Sequence, residues 1–420
     1  MAKNNQTIFR GDSITWIILA VLVSISILEV FSSTFQIVHG ARYHGNWINV
    51  IMQHVQYCAI GVFGAFFITL VDIRRAWRLS YLAWGIAFLL VMAAKLKGTA
   101  ENGASRWIFG IQPSELLKIT TILVMASISQ FYKKEDNDNT PEEGCRFTNN
   151  FKKFAFASAF ILPSFLVIFM ENVSTAILLL FTCCITCLIA GMKIKWFVST
   201  LVPLSLFGFI LILFAGTDFY KDHMRGMFGM NRLETVHNRM MRFLEPVDTK
   251  TFTDDQIVTR ELKDQKKYQQ TVGKIAIAQS SWHGTGIGNS KFRSKLPHAY
   301  DDFIYATTVE EGGLILPFII NMAYIILLIR IGKIITACET KFCATMIAGL
   351  GIMMAMQALI NMSVSLGIGP VTGQPLPLIS RGGTSLAIYC LVIGLILNVS
   401  HYDAHIKEKQ VANQDREEQQ

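Results

Sequence analysis

The stretch best suited to chemistry is residues 295–313, KLPHAYDDFIYATTVEEGG, which joins a polar loop to an apolar run. Asp301 and Asp302 lie at the junction, and Glu310 and Glu311 follow two helical turns later. Acidic side chains at the head of a membrane helix are costly to keep, so they indicate a functional site. The spacing also fits a second interpretation, in which Asp301 or Asp302 caps the helix by accepting from its first free backbone N–H groups.

Composition decides what kind of chain positions these acids. Of 420 residues, 52% are hydrophobic and only 16% are charged, whereas soluble domains average about 25% charged residues. Apolar stretches of about twenty residues recur, and each could cross a hydrocarbon core of about 30 Å. The sequence therefore predicts an all-α, polytopic membrane protein.

Ten transmembrane helices are predicted, and basic residues in alternate loops place both termini in the cytoplasm. The net charge of +8 follows from these orientation signals and does not indicate nucleic-acid binding. We expect one transmembrane domain over residues 1–402, a long extracytoplasmic loop at 217–302, and a disordered cytoplasmic tail at 403–420. The ten predicted spans are 14–37, 51–71, 77–95, 113–131, 154–171, 173–191, 196–216, 303–330, 343–366 and 383–401.

Three cysteines in one predicted helix could suggest a metal site. Cys183, Cys184 and Cys187 lie within an apolar run, with no His or acidic residue beside them. Cysteine in such surroundings behaves as a small apolar side chain. We therefore expect packing there and predict no protein metal site.

A second polar stretch, residues 103–120, has the sequence GASRWIFGIQPSELLKIT. Its proline fits the first turn of a helix and places Glu115 at the positive end of that helix. Glu115 and Lys118 share one helix face and could form a local ion pair or contribute to a binding site. Arg106, beside a tryptophan, could bind an anion or anchor the chain at the membrane interface.

Further candidates lie in the long loop. Arg239 and Arg242 share a helix face and could bind phosphate, although a solvated basic face fits equally well. Residues 284–288, GTGIG, predict a flexible turn that could approach a phosphate, but glycine runs are usually plain turns.

Two more polar stretches interrupt apolar runs. Residues 171–176, ENVSTA, predict a tight turn between two spans. Residues 367–385, GIGPVTGQPLPLISRGGTS, contain three prolines and predict irregular backbone. Such backbone is tolerated at membrane depth only where it lines a cavity or is buried in protein.

In their order along the chain, these stretches resemble the SEDS family (shape, elongation, division, sporulation), which includes the FtsW, RodA and SpoVE proteins. The family patterns GAxRWI…QPSELxK, QPDLGTA-like, GxGxS…LPExxTDFIFAxxxEELG and PxTGxPLPxxSxGGSS correspond to residues 103–118, 171–176, 284–313 and 370–385. The resemblance covers roughly residues 12–402. Residues 171–176 and 375–385, PLPLISRGGTS, most resemble the division branch, FtsW, of the Bacteroidetes lineage.

The resemblance implies a peptidoglycan glycosyltransferase that polymerises lipid II, a disaccharide-pentapeptide on undecaprenyl diphosphate. One lipid II hydroxyl attacks the anomeric carbon of the growing chain, and the diphosphate leaves with inversion. The catalytic aspartate of the family falls on Asp302, with Asp301 secondary, and a carboxylate suits the base that a sugar hydroxyl requires. Basic groups, or a divalent cation such as Mg²⁺ or Mn²⁺, would stabilise the leaving group. The expected substrate-binding residues are Arg106, Glu115, Lys118, Arg239, Arg242, His298 and Ser380.

This chain departs from the family pattern at several positions, and one of them is Gly312, which stands where the pattern EELG has leucine. Asn172 replaces the usual aspartate of the fifth-to-sixth turn, so that no proton transfer is expected there. Arg381 replaces the usual tyrosine and would add a cation near the site. His298 stands where the family has glutamate.

The resemblance also implies a class B penicillin-binding protein as partner, other division proteins, and a location in the bacterial inner membrane at the division septum. Spans eight and nine could form the docking site for the partner. Three other functions remain open from the residues: an elongation-type, RodA-like polymerase, a lipid II flippase and a non-enzymatic scaffold. Because the polar residues crowd the outer face and not the midplane, transport is the weaker interpretation.

Overall fold

The protein is a bundle of helices whose backbone breaks gather at one end. The computed structural model describes residues 10–33, 47–73, 76–97, 99–101, 104–107, 110–130, 150–196, 265–292, 296 and 299–417, and a few isolated residues between 198 and 241. Its helices are α1 Ser13–Ser33, α2 Trp47–Ile68, α3 Ala76–Lys97, α4 Pro113–Ser129, α5 Asn150–Phe169, α6 Val173–Ile189, α7 Gln265–Ala278, α8 Ile304–Gly312, α9 Ile315–Ala337, α10 Lys341–Ser365 and α11 Thr384–Glu417.

The predicted all-α, polytopic architecture is confirmed. Among the described residues, seven helices are long and apolar enough to cross a membrane, namely α1, α2, α3, α5, α9, α10 and α11. Helices α4 and α6 have 17 residues each and correspond to the fourth and sixth predicted spans. The seventh predicted span, 196–216, lies mostly outside the described residues, as does much of the 217–302 loop.

The eighth predicted span, 303–330, consists of two helices and not one. Helix α8 ends at Gly312 and α9 begins at Ile315. Gly313 has φ +61°, and a Cβ there would lie 2.3 Å from the Trp282 carbonyl oxygen. Only glycine tolerates this conformation and this approach of a second backbone. The break separates the segment that contains the acidic residues, which ends at Gly312, from the apolar helix that begins at Ile315.

Two further local differences have simple causes. Residues Thr99–Glu101 and Ala104–Trp107 form an antiparallel hairpin, strands β1 and β2, outside the apolar runs. Helix α11 continues to Glu417, through most of the tail that we predicted to be disordered. That tail contains no proline or glycine and many good helix formers, so that α11 can extend into it.

The centre of the bundle is formed by α4, α10 and α11. In α10 and α11, 67% and 72% of the spanning residues are buried, against 22% in α2 and α3. Helices α2 and α11 approach closely because small residues meet: a Cβ on Gly61 would lie 2.9 Å from Cys390, and one on Gly394 would lie 2.7 Å from Ala65. Such small-residue contacts allow tight helix packing in membranes.

The predicted packing role of the three cysteines agrees with the structure. Cys183, Cys184 and Cys187 are buried free thiols in the C-terminal half of α6. Cys187 lies 3.6 Å from the sulfur of Met125 on α4. Cys187 therefore packs in the α4–α6 contact.

The interrupted segments meet at the end of the bundle that we predicted to be extracytoplasmic. The start of α4, the turn between α5 and α6, the head of α8 and the 366–383 segment all lie there. Gln112 N–H donates to Thr384 Oγ1 at 3.3 Å, and Asn172 Nδ2 donates to the Thr372 carbonyl at 3.3 Å. The candidate site is built where these segments join.

Candidate active site

Asp301 and Asp302 lie in a turn that immediately precedes α8. The N-cap residue of α8 is Phe303, and its side chain makes no capping hydrogen bond. Neither aspartate therefore occupies the N-cap position. Both aspartates are partly buried, which leaves them within reach of a substrate at the head of α8.

The main chain around these aspartates is hydrogen-bonded to a turn formed by residues 375–380, which we call the 375–380 turn. Ser380 Oγ donates to the Asp301 carbonyl at 2.8 Å and accepts from Leu376 N–H at 2.7 Å. Arg381 N–H donates to the Tyr300 carbonyl at 2.9 Å. The 295–313 and 367–385 stretches are therefore joined by these hydrogen bonds.

Asp302 is held from a second side by α10 and the segment before the turn. Asn361 Nδ2 donates to the Asp302 carbonyl at 3.1 Å and to the Gln374 carbonyl at 2.8 Å. The Asp302 carboxylate lies next to Gly373, where an added Cβ would be 3.7 Å from Oδ2. Hydrogen bonds thus fix the backbone of Asp302, and its carboxylate lies next to Gly373.

The 171–176 stretch forms the opposite side of that glycine. Asn172 caps α6 by accepting from Ser174 N–H at 3.1 Å, and its Nδ2 would lie 3.9 Å from a Cβ on Gly373. Thr175 Oγ1 accepts from Gln374 Nε2. The predicted tight turn is confirmed, and it also anchors the 372–374 backbone.

The predicted ion pair of Glu115 and Lys118 is confirmed, with 2.9 Å between Oε2 and Nζ. Lys118 is fully buried and Glu115 is 4% exposed. Lys118 Nζ also donates to Gln357 Oε1 at 3.3 Å, and the Tyr389 hydroxyl lies within hydrogen-bond distance of both Gln357 Oε1 and Glu115 Oε2, the latter at 3.3 Å. Because the pair is buried, its contacts are to protein groups.

This buried pair reaches the site through one amide. Gln357 Nε2 donates to the Pro375 carbonyl at 3.1 Å. Lys118 is therefore connected to the 375–380 turn through Gln357, and Asp301 is connected to the same turn through Ser380.

Glu310 and Glu311 bind the outer loop to the bundle. Glu310 accepts from Ser290 Oγ at 2.5 Å and from Lys291 N–H at 2.6 Å. Glu311 accepts from Gly288 N–H at 3.0 Å and from Ser32 Oγ on α1. Both carboxylates are buried, which makes them anchors for residues 288–291.

The GTGIG turn closes the end of α8. Thr285 N–H donates to the Glu310 carbonyl at 2.9 Å, and Gly286 N–H donates to the Glu311 carbonyl at 3.0 Å. These bonds satisfy carbonyls that a helix C-terminus leaves free. The amides of Thr285 and Gly286 are used within the protein, so that the plain-turn interpretation holds and phosphate contact by these two amides is excluded.

The remaining predicted binding residues are only partly described. Arg106 lies on β2, and its side chain is outside the described part of the structure. Arg239, Arg242 and His298 also lie outside the described residues. Arg381, the departure next to Ser380, donates to Gln53 Oε1 at 3.3 Å, and its Cζ lies 5.8 Å from the centroid of the Tyr300 ring.

Sequence analysis missed several polar side chains that shape the site. Gln357 and Asn361 are four residues apart on one face of α10, and both are buried. Polar residues on one face of an apolar helix signal an interior or functional contact, so that this pair could have been found. The sequence around Ser26, Tyr324 and Tyr389 shows no such pattern of polar residues on one helix face.

Within the described residues, few protein side chains are available to bind a metal ion. No group of three or more His, Cys, Asp or Glu side chains there could bind a metal. Asp301 and Asp302 are nevertheless oxygen donors of the type that Mg²⁺ prefers, and this ion often takes one or two carboxylates together with substrate phosphates.

Comparison with known proteins identifies similar chains. The family described as "Cell cycle protein", FTSW_RODA_SPOVE, matches residues 12–405. A probable peptidoglycan glycosyltransferase FtsW from Saccharophagus degradans is 27% identical over 93% of this chain and 92% of its own. Stage V sporulation protein E from Bacillus subtilis is also 27% identical, over 94% and 98%.

Solved structures show the same fold. A chain from a peptidoglycan synthase complex, described in terms of coordinated polymerization and crosslinking, superposes with a TM-score of 0.66. It is 21% identical, and the match covers 94% of this chain and 98% of that chain.

Proposed function

This chain belongs to the FtsW/RodA/SpoVE family of cell cycle proteins, and we propose that it is a peptidoglycan glycosyltransferase that polymerises lipid II. The acceptor hydroxyl of one lipid II attacks the anomeric carbon of the growing glycan. A β-1,4 bond forms, and the bond to undecaprenyl diphosphate breaks. Family membership and the FtsW names of similar curated proteins support this activity.

One structural observation carries the proposal: Asp302 is partly exposed while its backbone is fixed by Asn361 and, through Asp301, by Ser380. A sugar hydroxyl is a weak nucleophile and requires a base within hydrogen-bond distance in the reacting complex. A carboxylate on a fixed backbone meets that need, because orientation contributes a large share of the rate. Asp302 accepts the hydroxyl proton, and the diphosphate leaves as an anion without protonation.

The leaving diphosphate requires positive charge. Arg106, Arg239, Arg242 and His298 are the proposed ligands. A divalent cation such as Mg²⁺ or Mn²⁺ would add positive charge beside the diphosphate, and Asp301 and Asp302 are the carboxylates that would help to hold it. Lys118 is buried against Glu115. We therefore propose that Lys118 supports the 375–380 turn through Gln357 and does not bind the diphosphate directly. Ser380 has the same supporting role through its bond to the Asp301 carbonyl.

The decisive experiment compares two neighbouring carboxylates. Wild type, Asp302→Asn and Asp301→Asn are purified with the transpeptidase partner, and glycan synthesis from lipid II is measured. We expect Asp302→Asn to lose at least about 100-fold in rate, the lower range for a lost general base. Asp301→Asn should lose less activity than Asp302→Asn, because the Asp301 carboxylate does not take the hydroxyl proton. A polymerisation rate of Asp302→Asn equal to that of wild type would refute the assignment of the base.

A lipid II flippase is the competing function, and the same preparations separate the two. In reconstituted vesicles, translocation of lipid II without glycan product would favour transport. The described polar groups of the site gather at one end of the bundle, whereas transport sites lie near the midplane. This arrangement supports polymerisation.

We further propose that the enzyme acts in septal synthesis, in the bacterial inner membrane, with both termini in the cytoplasm. A class B penicillin-binding protein is the proposed partner, since one similar structure belongs to a peptidoglycan synthase complex. Helix α9 exposes Phe318 and Ile329, which suits contact with a partner helix or with lipid. Depletion of the protein should arrest division, whereas arrest of elongation alone would favour the RodA-like role.

A further inference from the structure

The 375–380 turn contains a strained residue. Leu378 has φ +63° and is the only non-glycine with positive φ among the described residues. Its side chain is 1% exposed. A leucine in this conformation persists only where surrounding contacts enforce it, and such positions cluster at functional sites. The groups that hold this turn are therefore of interest.

Three alternate carbonyls of the turn are each bound by a side chain from a different helix. Gln357 of α10 donates to the Pro375 carbonyl at 3.1 Å, and Tyr324 of α9 donates to the Pro377 carbonyl. Ser26 of α1 donates to the Ile379 carbonyl at 2.7 Å. The strained backbone is thus clamped from three directions.

The third clamp depends on a histidine. Ser26 Oγ lies 2.9 Å from His54 Nε2 on α2, and both residues are buried. A serine hydroxyl has one proton, which here is given to the Ile379 carbonyl, so that His54 must donate from Nε2. His54 Nδ1 has no hydrogen-bond partner among the described residues, which agrees with Nδ1 as the unprotonated nitrogen. The His54 tautomer therefore directs the Ser26 proton toward the turn.

The clamp leads directly to the acidic residues. Ile379 precedes Ser380, whose hydroxyl binds the Asp301 carbonyl at 2.8 Å. We propose that Ser26 and His54 are positioning residues, which hold the strained 375–380 turn and thereby set the position of Asp302. This inference rests on the proposed glycosyltransferase function.

Kinetic constants of Ser26 variants test the proposal. In Ser26→Ala, we expect kcat for lipid II polymerisation to fall about tenfold, with KM within about twofold of wild type, because a misplaced base slows chemistry more than binding. Ser26→Thr keeps the hydroxyl and should recover most of kcat. His54 is tested in the same way. His54→Gln keeps an N–H donor near the position of Nε2, so its kcat should be higher than that of His54→Leu.

Ser80→Ala is the matched control. Ser80 is also buried and donates to the Trp77 carbonyl at 2.7 Å, close to Ser127 Oγ at 2.6 Å, but it lies at the other end of the bundle. Its kcat should equal that of wild type. Equal kcat losses in Ser26→Ala and Ser80→Ala, or no loss in Ser26→Ala, would overturn the proposal.

A second measurement does not depend on activity. Amide hydrogen exchange at residues 376–381 should be faster in Ser26→Ala than in wild type and unchanged in Ser80→Ala. Unchanged exchange in Ser26→Ala would refute the clamp. Wild-type protein that makes no glycan would instead refute the proposed function, and the exchange data would still decide whether the clamp exists.

Discussion

The Asp302 carboxylate lies against Gly373: a Cβ on that glycine would be 3.7 Å from Asp302 Oδ2 and 3.9 Å from Asn172 Nδ2. Gly373 also has φ +69°, a conformation that side chains disfavour. Two of the polar stretches therefore meet across a surface that only glycine keeps open.

Gly373→Ala should lower polymerisation by about tenfold or more. The added methyl group would contact both side chains and strain the backbone, at a cost of about 1 kcal/mol or more. Turnover of lipid II by the purified complex measures the effect. Gly369→Ala is the control in the same segment, because nothing lies within 4 Å of its Cβ position. Equal activity of the two variants would contradict the prediction.

Lys118→Met should destabilise the protein by about 3–5 kcal/mol, because it leaves Glu115 buried without its cation. The double variant Glu115→Gln, Lys118→Met removes both charges and should recover much of that loss. Thermal unfolding in detergent measures both. An exposed lysine at the other end of the bundle provides the control, since Lys333→Met should leave the melting temperature unchanged. A double variant no more stable than Lys118→Met would argue against a buried pair.

Glu310→Gln should loosen the outer loop at residues 288–292. The amide replaces a carboxylate that accepts from Ser290 and from the amides of Lys291 and Phe292, and hydrogen bonds to charged groups each contribute about 1.5–3 kcal/mol. Cleavage of this loop by a protease should accelerate about tenfold or more. Glu339 is exposed and provides the control. In the variant Glu339→Gln, the loop at residues 288–292 should be cleaved at the wild-type rate. Wild-type cleavage of Glu310→Gln would disprove the anchoring role.

Acid should weaken the connection between the N-terminus and α9. Burial raises the pKa of Asp12, but hydrogen bonds from Arg330 and Thr15 outweigh burial and hold this pKa below its usual range. A lowered folded-state pKa contributes stability above the unfolded value, about pH 4, and this stability is lost as pH falls through the folded value. The wild-type melting temperature should exceed that of Asp12→Asn at pH 7, and the difference should shrink as the pH falls below about 4. A constant difference would exclude Asp12 as the titrating group.

Several features of the fold could be predicted because they depend on local sequence. Length and hydropathy specify a spanning helix regardless of what it packs against. The Glu115–Lys118 pair follows from i, i+3 spacing on one helix. The break in the eighth run was missed, although Gly312 and Gly313 mark it, because its cause is the approach of Trp282 from a distant loop.

The candidate site was only partly accessible from the sequence. The family motif led to Asp302 and to the 367–385 segment. The roles of Glu310 and Glu311 as loop anchors could not be inferred, because their partners lie in another segment of the chain.

The sequence by itself determined that this chain is a polytopic helical membrane protein with a carboxylate at the head of its eighth run, because helix length, apolar content and motif spacing are local properties. Only the tertiary structure decided which groups hold that carboxylate in place. Ser26 and Ile379 are 353 residues apart, and Lys118 reaches the 375–380 turn through Gln357, which is 239 residues away. Such bonds form only after helices pack, since packing alone determines which buried donor faces which carbonyl.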